Sequence, residues 1–293
     1  MIHRAEVELV ERIRKRAAGL TNRQVIAGIG DDCAVFRPRA GEDLVFTTDY
    51  LIEDVHFRRD THGAADVGHK ALARGLSDIA AMGAEPRFAL LSLALAPWVD
   101  DDWVDRFYSG FFRLARKWKT PLVGGDLSHT VKVACDIVVC GAVPRGKALR
   151  RDGARPGDAI WVSGPLGKPW QTHLRPKPRV DVGLAIRGRA TAAMDLTDGL
   201  ALDLYRLCAA SGVSAELDRV PVVRASTVEQ ALYGGEDYEL LFTLPPRAAA
   251  PRGCRRIGSI VEGTPGKVWL QSEVIEARGY DHFRTGPVPG SGG

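Results

Sequence analysis

The sequence predicts two α/β domains, and three observations carry that expectation. The chain has 293 residues, more than one hydrophobic core usually serves. Segments with helical spacing and segments with strand alternation interleave in both halves. The apolar pattern breaks near Pro144-Arg145-Gly146, where turn residues and charge replace it. The expected division is 1–145 and 146–284, followed by a Gly-, Pro- and Ser-rich tail, 285–293, with the composition of a disordered end.

In chain order, Val7, Leu9, Val10, Ile13 and Ala17 recur among charges at helical spacing over 5–18, ended by Leu20-Thr21-Asn22. Ile26 to Gly30 leads into a turn carrying Asp31 and Asp32. Leu44-Val45-Phe46 is a short strand whose end becomes Thr47-Thr48-Asp49. A helix from about Asp66 to Met82 is closed by Gly83, with Pro86 preventing its continuation. Phe88 to Leu95 alternates as a strand. Asp100 to Lys117 is a helix with Trp103, Phe107, Phe111 and Leu114 on one face. Leu122-Val123 runs into Gly124-Gly125-Asp126, and Val131 to Val143 is a further strand. In the second half, Ala159 to Val162, Glu239 to Leu244 and Ile257 to Val261 are strands. Leu200 to Ala210 is a helix closed by Gly212, and 165–181 is rich in Pro and basic residues, hence a loop.

Composition narrows the function classes. Apolar content of 45% and charged content of 26% suit a soluble globular protein. A net charge of +4 creates no field that demands nucleic acid or a membrane. The longest apolar run, Phe88 to Ala96, is far shorter than the ~20 residues of a bilayer span. The N-terminal residues lack the blocks of a signal peptide. Five cysteines without a Cys-x-x-Cys pair, two of them (Cys135 and Cys140) facing opposite sides of one strand, read as reduced thiols of a cytoplasmic protein.

The chemistry lies in acids set beside Gly, Thr or Ser where apolar runs end: Asp32, Asp49, Asp78 in Leu76-Ser77-Asp78, Asp126, and the pair in Met194-Asp195-Leu196-Thr197-Asp198-Gly199-Leu200. Such ends let loops aim oxygen ligands into a common cleft. Singly, each has an ordinary alternative. Asp32 suits a turn, Asp78 suits a surface pair with Arg74 one helical turn earlier, and Asp195 and Asp198 suit caps for the helix from Leu200. Together, acids brought close would repel by roughly 4 kcal/mol per pair at an effective dielectric near 20, which calls for cations. Hard oxygen donors favour Mg²⁺, and the neighbouring hydroxyls and glycine amides suit a polyphosphate. A P-loop is absent, since Gly164-Pro165-Leu166-Gly167-Lys168 has the wrong spacing and is followed by Pro169.

These motifs resemble the thiamine-monophosphate kinase family, of the aminoimidazole ribonucleotide synthetase-like superfamily. The resemblance runs through Gly28 to Val35, Thr47 to Phe57, Lys70 to Pro86, Gly124-Gly125-Asp126, Gly153 to Asp158, Met194 to Leu200, Gly234-Gly235-Glu236-Asp237-Tyr238-Glu239-Leu240 and Gly279 to Phe283, in family order. It implies transfer of phosphate from ATP to thiamine monophosphate, and a two-domain fold whose N-terminal domains pair into a dimeric β-barrel. The metal ligands would be Asp32, Thr47, Thr48, Asp49, Asp78, Asp126, Asp195 and Asp198, holding several Mg²⁺ per site. ATP would meet Tyr108, Gly125, Arg151 and Thr197, and thiamine monophosphate would meet His56, Glu236 and Tyr280. No residue is assigned as a general base, because the attacking phosphate oxygen is already anionic. Partners would be the two substrates and a second copy of the chain, with neither nucleic acid nor membrane.

Two stretches, between Gly167 and His173 and between Val223 and Gly234, are shorter than the family pattern, and Thr197 stands where Ser is common. His129 lies near a position usually held by a small hydroxyl residue. Another synthetase of the superfamily, a trimmed relative without turnover, and a nucleic-acid binder using Arg145, Arg150, Arg151, Arg155, Arg175, Lys177 and Arg179 are the alternatives. The last lacks aromatic interleaving among its charges.

Overall fold

The structure is a computed structural model that describes residues 5–30, 32–169 and 173–281. The expected disordered tail lies outside the described residues. Two compact units divide the chain. The first takes Met1–Ile79, Ala84–Ala148 and Leu174–Val180, and the second takes Ala80–Gly83, Leu149–His173 and Asp181–Gly293.

The N-terminal unit opens with α1 (Glu6–Ala17), whose Leu9, Ile13 and Ala17 are buried. A two-stranded antiparallel sheet follows, β1 (Val25–Ala27) with β2 (Val35–Phe36). Then come β3 (Glu42–Ile52), α2 (Ala64–Ala81), β4 (Glu85–Leu95), α3 (Asp101–Trp118), β5 (Leu122–His129) and β6 (Ala134–Pro144). The main sheet has the order β3-β6-β4-β5, antiparallel except for the β4/β5 pair. It is open, with β3 and β5 at its edges. One chain therefore forms no barrel among its described residues.

Alternation gives this sheet two unlike faces. Leu51, Leu91, Leu93, Cys135, Ile137 and Val139 are buried on the helix side. On the other side Phe46 and Tyr50 are 62% and 60% exposed, while Phe88, Val123 and Cys140 form a small cluster with Val25, Phe36 and Leu44. Cys135 and Cys140 do face opposite ways, and burial pushes both thiols up to about 12, so they stay un-ionised.

Helix α3 is defined by its ends: Asp100 accepts the Trp103 N–H at 2.7 Å, and Lys119 closes the helix in the left-handed conformation. Its apolar face carries Phe107, Phe111 and Leu114, all buried. It packs tightly on α2 because Gly110 lies against the Ala65 carbonyl and Gly68 against the Phe107 carbonyl, where an added Cβ would stand 1.8 and 2.0 Å from oxygen. The segment 174–180 returns to this unit: Arg175 pairs with Asp66, and the Pro176 carbonyl lies 2.8 Å from His69 Nε2.

The C-terminal unit contains β7 (Ala159–Val162), α4 (Val180–Ile186), β8 (Ala192–Leu196), α5 (Leu200–Ser211), β9 (Ser214–Leu217), α6 (Val228–Tyr233), β10 (Glu239–Leu244), β11 (Arg255–Val261), β12 (Val268–Leu270) and β13 (Glu273–Val274). Its seven-stranded sheet has the order β13-β12-β9-β11-β7-β10-β8, with only β12/β9 parallel. Met194, Leu196, Leu200, Leu204, Leu207, Leu241 and Ile260 belong to its core. The end of the stretch expected to be loop, 165–181, is instead the start of α4. No described helix is long and apolar enough to cross a membrane.

Candidate active site

In the N-terminal unit, β3 sends successive residues to opposite sides. Thr47 and Asp49 face α2, where the Thr47 hydroxyl donates to Asp78. Arg74, one turn before Asp78, forks onto Asp49, its Nε reaching Oδ2 at 2.8 Å and its Nη2 reaching Oδ1. Thr48 points the other way and donates to Asp136 on β6 at 2.6 Å. The structure thus gathers Thr47, Asp49 and Asp78, while Thr48 joins a carboxylate that the sequence had not singled out. Asp126 sits on an exposed part of β5 opposite Ser92. Before it, Gly125 has φ 153°, and a Cβ there would lie 1.9 Å from the Leu91 carbonyl, so only glycine fits. Asp32 is exposed after Gly30, and Asp31 lies outside the described residues.

The loop after β3 carries His56, whose Nδ1 accepts the Ile52 N–H at 3.1 Å and whose carbonyl takes the fully buried Lys70 Nζ at 2.8 Å. Nδ1 is thereby the acceptor nitrogen and Nε2 carries the proton of the neutral ring. Tyr108 is only 3% exposed and lies among Phe107, Phe111 and Phe112. Burial pushes its phenol well up, and its side chain serves the α3 packing.

In the C-terminal unit three distant segments meet. Strand β8 ends in Asp195-Leu196 and continues as Thr197-Asp198-Gly199 into α5. The Glu236 N–H donates to the Thr197 carbonyl at 2.7 Å, the Tyr238 N–H to Leu196 at 2.9 Å, and the Tyr280 N–H to Asp198 at 3.0 Å. Asp195, Thr197, Asp198, Glu236 and Tyr280 are therefore brought together by backbone. Gly199 and Gly235 permit the crossing, since a Cβ on either would approach a carbonyl oxygen to 2.7 or 2.6 Å. Glu236 and Tyr238 adopt φ of 54° and 50°, left-handed values that non-glycine residues rarely take without compensation. The Glu236 carboxylate lies 3.4 Å from His173 Nδ1. Arg151 is exposed; the Arg150 carbonyl accepts from Ala193 of β8, and the Arg151 carbonyl accepts from Ser211.

Asp195 and Asp198 do not cap α5. Gly199 is the cap residue and makes no side-chain bond. Asp203, in the first turn of α5, instead ties down the loop before the helix: its Oδ2 accepts the N–H groups of both Thr197 and Asp198 at 3.0 Å. Arg206 bridges Asp203 and Asp198. Burial, helped by the charge of Asp198, raises Asp203 to about 7. Sequence reading missed Asp203 and Arg206, although their spacing of three on one helix was a usable signal.

The last two acids of Gly-Gly-Glu-Asp-Tyr-Glu-Leu are structural. Asp237 accepts the N–H groups of Gly167 and Lys168 at 3.0 Å, and Glu239, fully buried, takes Lys168 Nζ at 2.6 Å and the Ser163 hydroxyl. Lys168 is thus an internal counter-ion, which accounts for a lysine after glycine without a P-loop. Arg150 pairs with Asp152 and Arg175 with Asp66, so two of the basic residues weighed for nucleic acid face carboxylates.

Among the described residues no three His, Cys, Asp or Glu side chains form a metal cage. The donor chemistry nevertheless fits an ion that keeps several waters and takes few protein ligands. The Thr47 hydroxyl adjoins the Asp78 carboxylate, and the side chains of Asp49 and Asp198 remain 24% and 25% open to solvent. The donors are all oxygen, as magnesium prefers.

Residues 30–145 match the family model described as "AIR synthase related protein, N-terminal domain". A thiamine-monophosphate kinase of Salmonella typhimurium is 36% identical over 307 aligned positions, covering 89% of this chain and 93% of that protein. The crystal structure of the thiamine-monophosphate kinase of Stenotrophomonas maltophilia superposes with a TM-score of 0.82 at 38% identity, covering 92% of this chain and 98% of that one. A structure described as "AaThiL complexed with AMPPCP and TMP" gives 0.78 at 34% identity, covering 95% and 97%. With identity above one-third maintained over nearly its whole length, the chain belongs to the thiamine-monophosphate kinase family.

Proposed function

We propose that this protein transfers the γ-phosphoryl group of ATP to thiamine monophosphate, giving thiamine diphosphate and ADP. The observation that carries the reading is the seam in the C-terminal unit. There the Glu236 segment is hydrogen-bonded along the Asp195–Asp198 loop, with Glu236 held in a left-handed conformation beside Thr197. In this reading Glu236, Tyr280 and His56 contact the thiamine phosphate, while Gly125, Arg151 and Thr197 contact ATP. Tyr108 is left out of that set because its side chain is enclosed by α3 aromatics.

Asp32, Thr47, Thr48, Asp49, Asp78 and Asp126 of the N-terminal unit, with Asp195 and Asp198 of the C-terminal unit, would hold magnesium. The bound cations would screen the repulsion between two polyanions and polarise the transferred phosphoryl group. The protein's own task is positioning. The acceptor is an anionic phosphate oxygen, so no side chain has to remove a proton, and transfer is direct and in line. Arg151 would steady charge that develops on the phosphoryl oxygens.

A homodimer through the N-terminal sheet is part of the proposal. Its support is an edge strand, β3, that carries exposed Phe46 and Tyr50 away from the helices. The test of function is ADP release measured with ATP and Mg²⁺ against thiamine monophosphate and against an aminoimidazole precursor. Release that depends on thiamine monophosphate is expected. Release only with the aminoimidazole precursor would assign the chain to another reaction, and no release with either would leave a nucleotide-binding relative without turnover.

A further inference from the structure

We infer that Arg74 is a resident counter-cation for Asp49, so that the acids of the N-terminal unit fold without a divalent ion and magnesium must displace the guanidinium to bind. The inference rests on the proposed kinase reading, in which Asp49 is a metal ligand. Arg74 reaches both carboxylate oxygens of Asp49 through two different nitrogens. The pair is partly enclosed, with 12% of the Arg74 side chain and 24% of the Asp49 side chain exposed. This is the fork-on-carboxylate geometry that makes arginine pairs strong and directional. Arg74 stands on α2 one turn before Asp78, which takes the Thr47 hydroxyl, so the guanidinium lies within the acid group and not at its rim.

Two consequences follow from charge. A guanidinium does not lose its proton in a protein, so it can leave Asp49 only by swinging away. While it stays, each oxygen already accepts a hydrogen bond and a fixed positive charge opposes an incoming dication. The acids therefore do not repel one another unopposed in the metal-free protein, and the cost of separating the arginine is subtracted from magnesium affinity. The C-terminal unit repeats the device, with Arg206 bridging Asp198 and Asp203.

The experiment titrates Mg²⁺ alone, without nucleotide, into wild-type protein and Arg74→Met, which keeps an unbranched apolar stem of similar length. Binding is read by calorimetry, and melting temperature is read in EDTA and in rising Mg²⁺. Arg74→Met is expected to bind Mg²⁺ about tenfold more tightly, a 1.4 kcal/mol difference. It should also melt lower than wild type in EDTA and gain more on adding Mg²⁺. An unchanged or weaker Mg²⁺ affinity, with binding still measurable, would overturn the inference while leaving the metal assignment standing. Absence of Mg²⁺ uptake by both proteins would overturn the inference and the metal assignment together. Should Arg74→Met fail to fold, Arg74→Gln, which keeps a polar side chain but removes the charge, takes its place in the same titration, and the same outcomes decide it.

Discussion

A single carboxylate, Asp203, shows how the site depends on residues that touch no substrate. One of its oxygens accepts two successive N–H groups of the Thr197-Asp198 loop, and the other faces Arg206. Neither N–H has a helical partner at that point, so the loop that presents Thr197 and Asp198 owes its shape to this side chain. Burial, with the charges of Asp198 and Asp195, raises Asp203 from its ordinary value of 3.8 to about 7 against the bonds that favour its anion. The sign follows from proton linkage. Between pH 4 and 7 the folded protein keeps a proton that the unfolded chain has lost, so this group's contribution to stability falls as pH rises through that window. Urea unfolding of Asp203→Asn, which cannot ionise, should show a flatter pH dependence between 4 and 7 than wild type. Equal slopes would show that Asp203 is already ionised in the folded protein at pH 4.

At the scale of elements, much of the fold was legible in the sequence where periodicity is long. Helices α2 and α3 and strands β4 and β6 occupy nearly the expected residues, because each carries a sustained apolar stripe and clear stop signals. Short strands β7 and β10 also stand at the expected residues, but other short elements were not legible. Strand β9 has four residues and α6 has six, too few to display a period, and α6 is set by a capping box of Thr227 and Gln230 instead. Strand β4 begins at Glu85 despite Pro86, where the pairing with β6 shifts register between Pro86 and Phe88. For the candidate site, Gly-Gly-Glu-Asp-Tyr-Glu-Leu and Met-Asp-Leu-Thr-Asp-Gly-Leu were visible as motifs, but their lateral hydrogen bonding was not, because backbone bonds between distant segments leave no local trace. Arginine partners were hidden for the same reason: Arg74 reads as half of a surface pair with Asp78, yet it reaches Asp49 on β3. Glycine is similarly ambiguous. In the sequence Gly110 and Gly19 look equally replaceable, but a Cβ at Gly110 would meet the Ala65 carbonyl and one at Gly19 meets nothing within 4 Å. Alanine gains only about 1 kcal/mol of helix propensity at position 110, while overpacking typically costs about 1–3 kcal/mol. A carbonyl oxygen 1.8 Å from the added Cβ puts this site at the upper end. Gly110→Ala should therefore lower the melting temperature by at least several degrees, and Gly19→Ala should leave it nearly unchanged. Equal melting of the two variants would mean that α2 and α3 can separate without penalty.

For the whole molecule, the open N-terminal sheet is the feature that one chain leaves unfinished. Strand β3 is eleven residues long and contains no proline. Among the described residues it pairs with β6 along one side only, and natural edge strands of that length are usually blunted or covered. Its outward face carries Phe46 and Tyr50, large apolar groups that gain nothing from water. A second copy of the same edge is a self-complementary partner for both features, because a two-fold axis sets each exposed aromatic against the same surface of its mate. Burying them would contribute on the order of 1.5–3 kcal/mol per side chain, and each is present twice. Light scattering after size exclusion should give twice the chain mass of 31.8 kDa for the wild type. Phe46→Asp with Tyr50→Asp places four charges in the apposed faces and should shift the species to 31.8 kDa without unfolding it, since both side chains point away from the helix layer. A wild-type monomer across micromolar concentrations would rule out the proposed homodimer. A doubly substituted protein that remains dimeric would move the interface off this face of β3.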